Sequence, residues 1–427
     1  MSAGANRLAA PAGLLIDRER PVSFRFEGRG HKGFAGDTIA SALAAEDRWI
    51  LSRSFKFHRP RGVLTMAGQD GNTLVQVGGE PNVLADRHPI SEGIEVKGQH
   101  YSGSLERDRK TWIGLFSRFL QVGFYYRAFY KPAGIWERVW EPIVRANAGL
   151  GRADLDAVHG YHDKAYAFYD LMVVGGGPAG MEAALAGARA GAEVLLVDEN
   201  PVLGGALAYA RFDVDGGLGE ARRRELVAAV EAEAGIEVMT GALCNGWFAD
   251  NWLPVIRGTR MYKVRARELV LAAGAIEQPA QFRNNDLPGV MLASAAQRLI
   301  RLYGVRPGRR AVVMTANDDG YGAALDLAEA GVEVAAVLDL RHEPPAAPLR
   351  EAALGRGIAV RDGTCVSEAI PTRGNRHVRA VSVSRIGGDG TAKLGGARVD
   401  CDLLCMAVGY TPTYQLALQA GGKLGYD

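Results

Sequence analysis

The sequence predicts an α/β protein: a Rossmann-like dinucleotide-binding fold of two nucleotide-fold units behind a small β-rich module. Three observations carry this. The stretch from Asp170 to Asn200, DLMVVGGGPAGMEAALAGARAGAEVLLVDEN, reads as strand, glycine turn, alanine-rich helix, strand and terminal acid. The stretch from Arg309 to Arg341, RRAVVMTANDDGYGAALDLAEAGVEVAAVLDLR, repeats that order without the glycine spacing. The N-terminal region alternates apolar and polar residues around one helical stretch and holds none of the four cysteines.

The 427 residues leave room for roughly two to four domains. A formal net charge of +2 is near neutral at this length, which argues against nucleic acid or a strongly acidic substrate as a partner. No apolar run reaches the ~18 residues of a membrane helix, so no membrane association is expected. The N-terminus, MSAGANRLAAPAGLLIDRERP, lacks the pattern of a secretory signal, and the expected compartment is the cytoplasm. Cys244, Cys365, Cys401 and Cys405 form no C-x-x-C pair. Cys401 and Cys405 lie in VDCDLLCMAVG, which reads as a buried strand with packed thiols. The eight histidines form no H-x₃-H or H-E-x-x-H pattern, so no metal site is expected.

Residues 8–105 read as the first module. PVSFRFEGRGHKGFAG alternates like a hairpin, and GDTIASALAAE starts a helix with Asp37 or Thr38 as N-cap. TLVQVGG reads as a further strand. Two strands, a helix and more short strands make a β-grasp module like that of plant-type ferredoxins. A [2Fe–2S] cluster needs cysteine ligands, and none precedes Cys244, so the module has no cluster thiolates of its own. The segment Arg53 to Gly62, RSFKFHRPRG, interleaves Arg53, Lys56, His58, Arg59 and Arg61 with Phe55 and Phe57. It reads equally as a phosphate clamp or subunit-docking surface and as a solvated basic edge ended by Pro60.

Residues 106–165 read as an aromatic-rich connector, helical in pieces, with Arg118 and Arg127 excluding a membrane span. Core packing between domains is the expected role, with contact to a partner subunit as the alternative.

Residues 166–427 read as the nucleotide-binding domain, with the second unit inserted at about 305–395. Gly175, Gly177 and Gly180 supply the G-x-G-x-x-G spacing, and Pro178 and Ala179 complete the turn at the helix start. Gly175 permits the tight turn, Gly177 lets backbone approach a pyrophosphate, and Gly180 lets the helix pack on the strand. The helix start offers free N–H groups and a positive dipole end to phosphates. Asp198 follows the apolar run directly and is the first choice for the ribose 2′-hydroxyl, with Glu199 as the alternative. Acid there repels a 2′-phosphate, so NAD or FAD fits better than NADP. Gly204–Gly205 reads as a second close approach to the pyrophosphate or as a plain loop. Cys244 ends GIEVMTGALC, read as a strand passing the adenine, and Ala273–Gly274 ends RELVLAAGAIEQP beside the dinucleotide. A helix starting near Leu292 connects to the second unit. There Thr315, Asn317 and Gly320 stand at the three glycine positions, and Asp318 and Asp319 put negative charge at the helix start. Both features weaken phosphate binding. No acid, base or nucleophile is arranged for catalysis.

GGGPAG, VLLVDENPVLGG, LAAGAIEQP, NNDLPGVM and VGYTPT stand in the order of the two-dinucleotide-binding-domain flavoprotein fold. With RSFKFHRPRG and GFYYRAFYKP added, the chain resembles the α subunits of heterotetrameric sarcosine oxidases over essentially its whole length. The resemblance implies a ferredoxin-like N-terminal module without a cluster and a nucleotide fold that holds NAD. It also implies a β-type subunit whose FAD oxidises the amine, an FMN at the α/β boundary, and smaller subunits. Sarcosine would yield glycine, peroxide and a one-carbon unit for tetrahydrofolate. The folate-binding half would follow Asp427, so this is a fragment or that half is encoded elsewhere. Two alternatives stay open. One is the α subunit of a related dehydrogenase for N-methylglutamate, an opine, glycine with cyanide release, or proline, binding FAD. The other is a structural nucleotide-binding scaffold.

Overall fold

The apolar runs MVV and VLLV become the neighbouring parallel strands Asp163–Val174 and Val194–Val197. Successive residues alternate faces, so Val173 and Leu196 enter one core cluster while Met172 and Leu195 enter another. A strand buried on both faces must be apolar throughout, as VLLV is. The sheet around them runs Ile236–Met239, Val194–Val197, Asp163–Val174, Arg260–Leu271, Trp252–Arg257, Ala242–Cys244. The first four strands are parallel and the last two are antiparallel. Helices Pro178–Arg189 and Leu218–Ala232 bury Met181, Leu185, Leu226 and Val230 against one face. GIEVMTGALC is thus two strands at opposite sheet edges, Ile236–Met239 and Ala242–Cys244, because Gly241 takes a positive φ and turns the chain. Strand Ala275–Glu277 pairs with Tyr410–Pro412, so the C-terminal segment completes this unit.

This computed structural model describes residues 4–124, 129, 131–158, 160–392 and 395–425. It divides into two compact units, Met1–Ala157 with Pro279–Val408, and Val158–Gln278 with Gly409–Asp427.

In the first unit, the N-terminal sheet runs Arg29–Ala35, Asp17–Phe26, Glu95–Gly98, Leu74–Val77, Glu80–Leu84. Asp17–Phe26 pairs in parallel with Glu95–Gly98, and the other neighbours are antiparallel. Thr38 is the N-cap of helix Ile39–Ala45, in a reciprocal box with Ser41, and every residue of that helix is buried. The second nucleotide-fold segment forms a parallel sheet ordered Val290–Leu292, Leu403–Ala407, Arg310–Thr315, Glu333–Asp339, Val360–Asp362. An antiparallel sheet of Thr364–Pro371, Val378–Arg385 and Ala397–Asp400 follows. This segment extends from Pro279 to Val408, wider than 305–395, because strand Val290–Leu292 and helix Ala293–Arg301 belong to its sheet and core. One core joins Ile39, Leu43 and Leu51 of the N-terminal module to Leu299, Met314 and Tyr321 of the nucleotide-fold segment.

The aromatic connector departs from the expected core packing. Its described residues form short pieces, Thr111–Phe116 and Glu141–Ala148 among them. Leu115 is 84% exposed, and Trp112, Phe116 and Phe119 are also exposed. Apolar composition selected the segment, but no described sheet face covers it. Half of GFYYRAFYKP, including Arg127, lies outside the described residues.

Candidate functional site

Strand Asp163–Val174 ends in Gly175, whose φ of +108° and tight approach to the Ala272 carbonyl leave no room for a Cβ. Gly175 N–H donates to the Val197 carbonyl at 2.8 Å, closing the turn on the acidic strand. Gly177 is the N-cap of helix Pro178–Arg189, with Pro178 at the first helical position, where the missing N–H costs nothing, and Ala179 next. A Cβ on Gly180 would lie 1.8 Å from the Gly175 carbonyl oxygen, so helix and strand pack through that glycine. A Cβ on Gly177 would meet only Gly205 Cα, at 3.9 Å. The space over Gly177 is therefore open, as a pyrophosphate requires.

Gly204 and Gly205 pack directly against the glycine turn. Gly204 N–H donates to the Gly176 carbonyl at 2.8 Å, and a Cβ on Gly205 would lie 3.0 Å from Gly177 Cα. Two glycine backbones thus face each other without side chains. The structure brings the pair to the glycine turn, which a plain loop would not require.

Asp198 is buried, and its carboxylate is built into the turn. Oδ2 accepts from Gly176 N–H at 2.6 Å, and Oδ1 accepts from the Asn200 N–H at 2.7 Å and side-chain amide at 2.9 Å. Burial pushes its pKa up, against these hydrogen bonds. A carboxylate offers about four acceptor positions, and these three bonds leave one for a further donor. Glu199 follows, half-buried. Asn200 and Gly176 were missed as site residues; the signal for Asn200 was the D-E-N triplet, since Asn can bond back to a neighbouring acid.

Ala273 and Gly274 lie beside the same turn: Ala272 N–H donates to the Val174 carbonyl, and Ala273 N approaches the Gly175 Cβ position. Thr413 N–H donates to the Gly274 carbonyl at 2.9 Å, so the VGYTPT segment supports this edge. Cys244 stands in a strand that starts beside the acid, where Ala242 N–H donates to the Asp198 carbonyl at 2.9 Å. Its thiol is half-buried, and burial pushes it up to about 11, which keeps it protonated near neutral pH.

The second nucleotide turn is filled by its own side chains. Thr315 Oγ1 donates to the Asn317 carbonyl at 2.6 Å, and a Cβ on Gly320 would strike Thr315 at 2.4 Å. Asp339, at the strand end matching Asp198, is fully buried. It accepts from Tyr321 hydroxyl at 2.7 Å and from Arg341 Nη2 at 2.8 Å. Arg341 also reaches Asp318 at 3.0 Å. The chain's own arginine therefore occupies the acid that a ribose would need.

RSFKFHRPRG is neither an open clamp nor a solvated edge. Arg53 is buried and donates to the carbonyls of Leu105, His58 and Glu106. Arg59 and Arg61 both bind Asp286. Phe55 is exposed.

Residues 169–426 match the pyridine nucleotide-disulphide oxidoreductase family. The chain belongs to that family. Residues 19–101 match a 2Fe-2S iron-sulfur cluster binding domain. The family member described here is 38% identical to sarcosine oxidase subunit alpha of Rhizobium meliloti (strain 1021), over 96% of this chain and 42% of that protein. It is 31% identical to sarcosine oxidase subunit alpha of Corynebacterium sp. (strain P-1), over 96% of this chain and 40% of that protein. The chain thus spans well under half the length of these curated relatives. The structure of L-proline dehydrogenase from P. horikoshii superposes with a TM-score of 0.64 at 20% identity, covering 98% of this chain and 66% of that one, which shows a shared fold. All four cysteines lie outside residues 19–101, so the cluster-domain match comes without cysteine ligands. Among the described residues, no group of three or more His, Cys, Asp or Glu is placed to hold a metal ion.

Proposed function

We propose that this chain is the nucleotide-binding subunit of a multi-subunit flavin-dependent amine oxidoreductase of the sarcosine oxidase type, with NAD in the glycine cradle. The observation that carries the nucleotide reading is the uncrowded backbone of Gly177 at the start of helix Pro178–Arg189, packed beside Gly205 and held by Asp198 through Gly176. The pyrophosphate lies over Gly177 and meets the free N–H groups of the helix start. Asp198 takes the ribose hydroxyl, with Glu199 beside it; Ala273 and Gly274 border the nucleotide. A nicotinamide supplies hydride chemistry when bound; the residues named here bind and orient it. FAD suits the same cradle, and the absorbance of purified protein separates the two.

Oxidation of the amine is assigned to a flavin in a β-type partner, with FMN at the boundary between the subunits, in a cytoplasmic hetero-oligomer. The support is the name shared by the relatives and the lack, among the described residues, of a catalytic constellation at the cradle. Steady peroxide production from sarcosine by the partner-free chain would sink that assignment.

Calorimetry with NAD and NADP tests the nucleotide reading. NAD should bind more tightly, and exchanging both Asp198 and Glu199 for Ala should weaken it by about 1–3 kcal/mol, the scale of a lost charged hydrogen bond. Equal or tighter NADP binding overturns the reading.

A further inference from the structure

The sheet of the second unit has an outward face with the character of an interior. On strand Asp163–Val174, Ala167 and Tyr169 pack against the core, so Lys164, Tyr166 and Phe168 alternate to the opposite side. Tyr166 is 70% exposed and Phe168 66%. The register sets Lys263 opposite Tyr166 and Arg265 opposite Phe168, and on the next strand Trp252 opposite Arg265. Side chains directly opposite share a face. These five residues line a shallow cavity of about 180 Å³. Phe248, exposed, extends it, with its ring 4.7 Å from that of Trp252. A further row sets Leu243 opposite Ile256 and Ile256 opposite Met261.

A sheet with one solvated face normally shows polar residues there. Scattered exposed apolar side chains need no explanation, but a contiguous, registered patch marks an interaction site. Its charge is mainly positive, with Asp250 paired to Arg265 and Asp170 paired to Arg267 at its edges. Lys164, Lys263 and Arg265 rise among the apolar side chains. Lys263 Nζ stands 5.1 Å over the Tyr166 ring, and Arg265 reaches Asp250, a strongly exposed carboxylate at the rim, at 3.5 Å.

We propose that this face docks a partner protein that presents carboxylates among apolar side chains. Charge complementarity selects that occupant. A second copy of this chain would bring the same cations against themselves in a two-fold contact. A nucleic acid would set phosphates against the Leu243, Ile256 and Met261 row. The inference rests on the reading of the chain as a subunit.

The test uses the full chain, tagged and expressed in its native cells, so that its assembly is isolated intact. Lysine acetylation at Lys263 and hydroxyl-radical oxidation at Trp252 are compared between that assembly and the isolated chain. Labelling should be about tenfold slower in the assembly, because a covered group reacts only when the contact opens. The double variant Lys263→Glu with Arg265→Glu should keep its nucleotide affinity, which reports an intact fold, and lose the partner. The variant Phe168→Ser should do the same through lost apolar contact. Equal labelling rates, or an intact assembly with both variants, overturns this inference and leaves the subunit reading standing. Protection that comes from a homodimer or from bound nucleic acid also overturns it. A chain that purifies without any partner overturns both.

Discussion

At Gly177 one hydrogen atom decides whether a nucleotide enters. The space above its Cα is open to 3.9 Å, while Cβ atoms at Gly175, Gly176 and Gly180 would strike protein. Gly177 has φ −73°, which any residue adopts. Gly177→Val should therefore keep the fold and abolish dinucleotide binding, because its branch fills the pyrophosphate space. Thermal melting and calorimetry check both halves; binding at wild-type affinity would place the nucleotide elsewhere. Asp70 makes a different argument, about pH. It is buried in the N-terminal module, and its oxygens accept from the N–H groups of Leu64 at 2.6 Å and Asn72 at 2.8 Å. Burial, and then the charge of Asp86, push its pKa from an ordinary 3.8 up to about 7. Between those values the native state holds a proton that the unfolded chain has released. Stability should therefore fall as pH rises through that window, by up to about 1.4 kcal/mol per unit for one proton. Asp70→Asn cannot titrate, and its stability should be flatter from pH 5 to 8. Denaturant unfolding across that range decides it; parallel slopes in both proteins would remove Asp70 as the cause.

At the scale of elements, local pattern and distant pairing part company. The glycine turn, its helix and the VLLV strand were legible because each is a short-range pattern: a 3.6-residue period, an apolar run, a glycine spacing. The hairpin and the Thr38 cap were legible for the same reason. RSFKFHRPRG was not, because its partners are remote in sequence: Arg59 meets Asp286, 227 residues away. No local feature announces such a pairing. The closure of the second nucleotide turn was half legible. Its missing glycines are visible in the sequence, but the bond of Arg341 to Asp339 and Asp318 needs the fold. The Asp286 cluster has a measurable consequence. Burial alone would raise the Asp286 pKa, but the hydrogen bonds and charges of Arg59 and Arg61 outweigh it and hold it low. Asp286→Ala leaves two partly buried guanidinium groups without their carboxylate. It should destabilise the protein by about 1–3 kcal/mol. The nucleotide cradle is made of other residues, so NAD affinity should be unchanged. Equal melting temperatures for the variant and the parent would reduce the cluster to a surface ion pair.

Across the whole chain, the distribution of thiols decides what the ferredoxin-like module can carry. Residues 19–101 match a 2Fe-2S cluster binding domain, yet that stretch has no cysteine. The four thiols lie elsewhere. Cys244 is in the edge strand Ala242–Cys244, while Cys365, Cys401 and Cys405 belong to the segment Pro279–Val408. A cluster needs thiolates, usually four. Burial pushes Cys244 up to about 11 and Cys401 up to about 12, and raises Cys365 as well, so these groups stay protonated near neutral pH. The described residues also lack a three-ligand cluster of His, Cys, Asp or Glu. In the module, buried polar contacts hold the loops: Asp70 and Asp86 gather backbone N–H groups, and His58 binds Asp108 of the following connector at 2.5 Å. The fold of a cluster domain is thus kept by hydrogen bonds. Protein reconstituted with iron and sulfide under reducing conditions should hold no stoichiometric iron and show no cluster absorbance. Iron and sulfide analysis after desalting measures this, and two irons per chain with matching sulfide would overturn it.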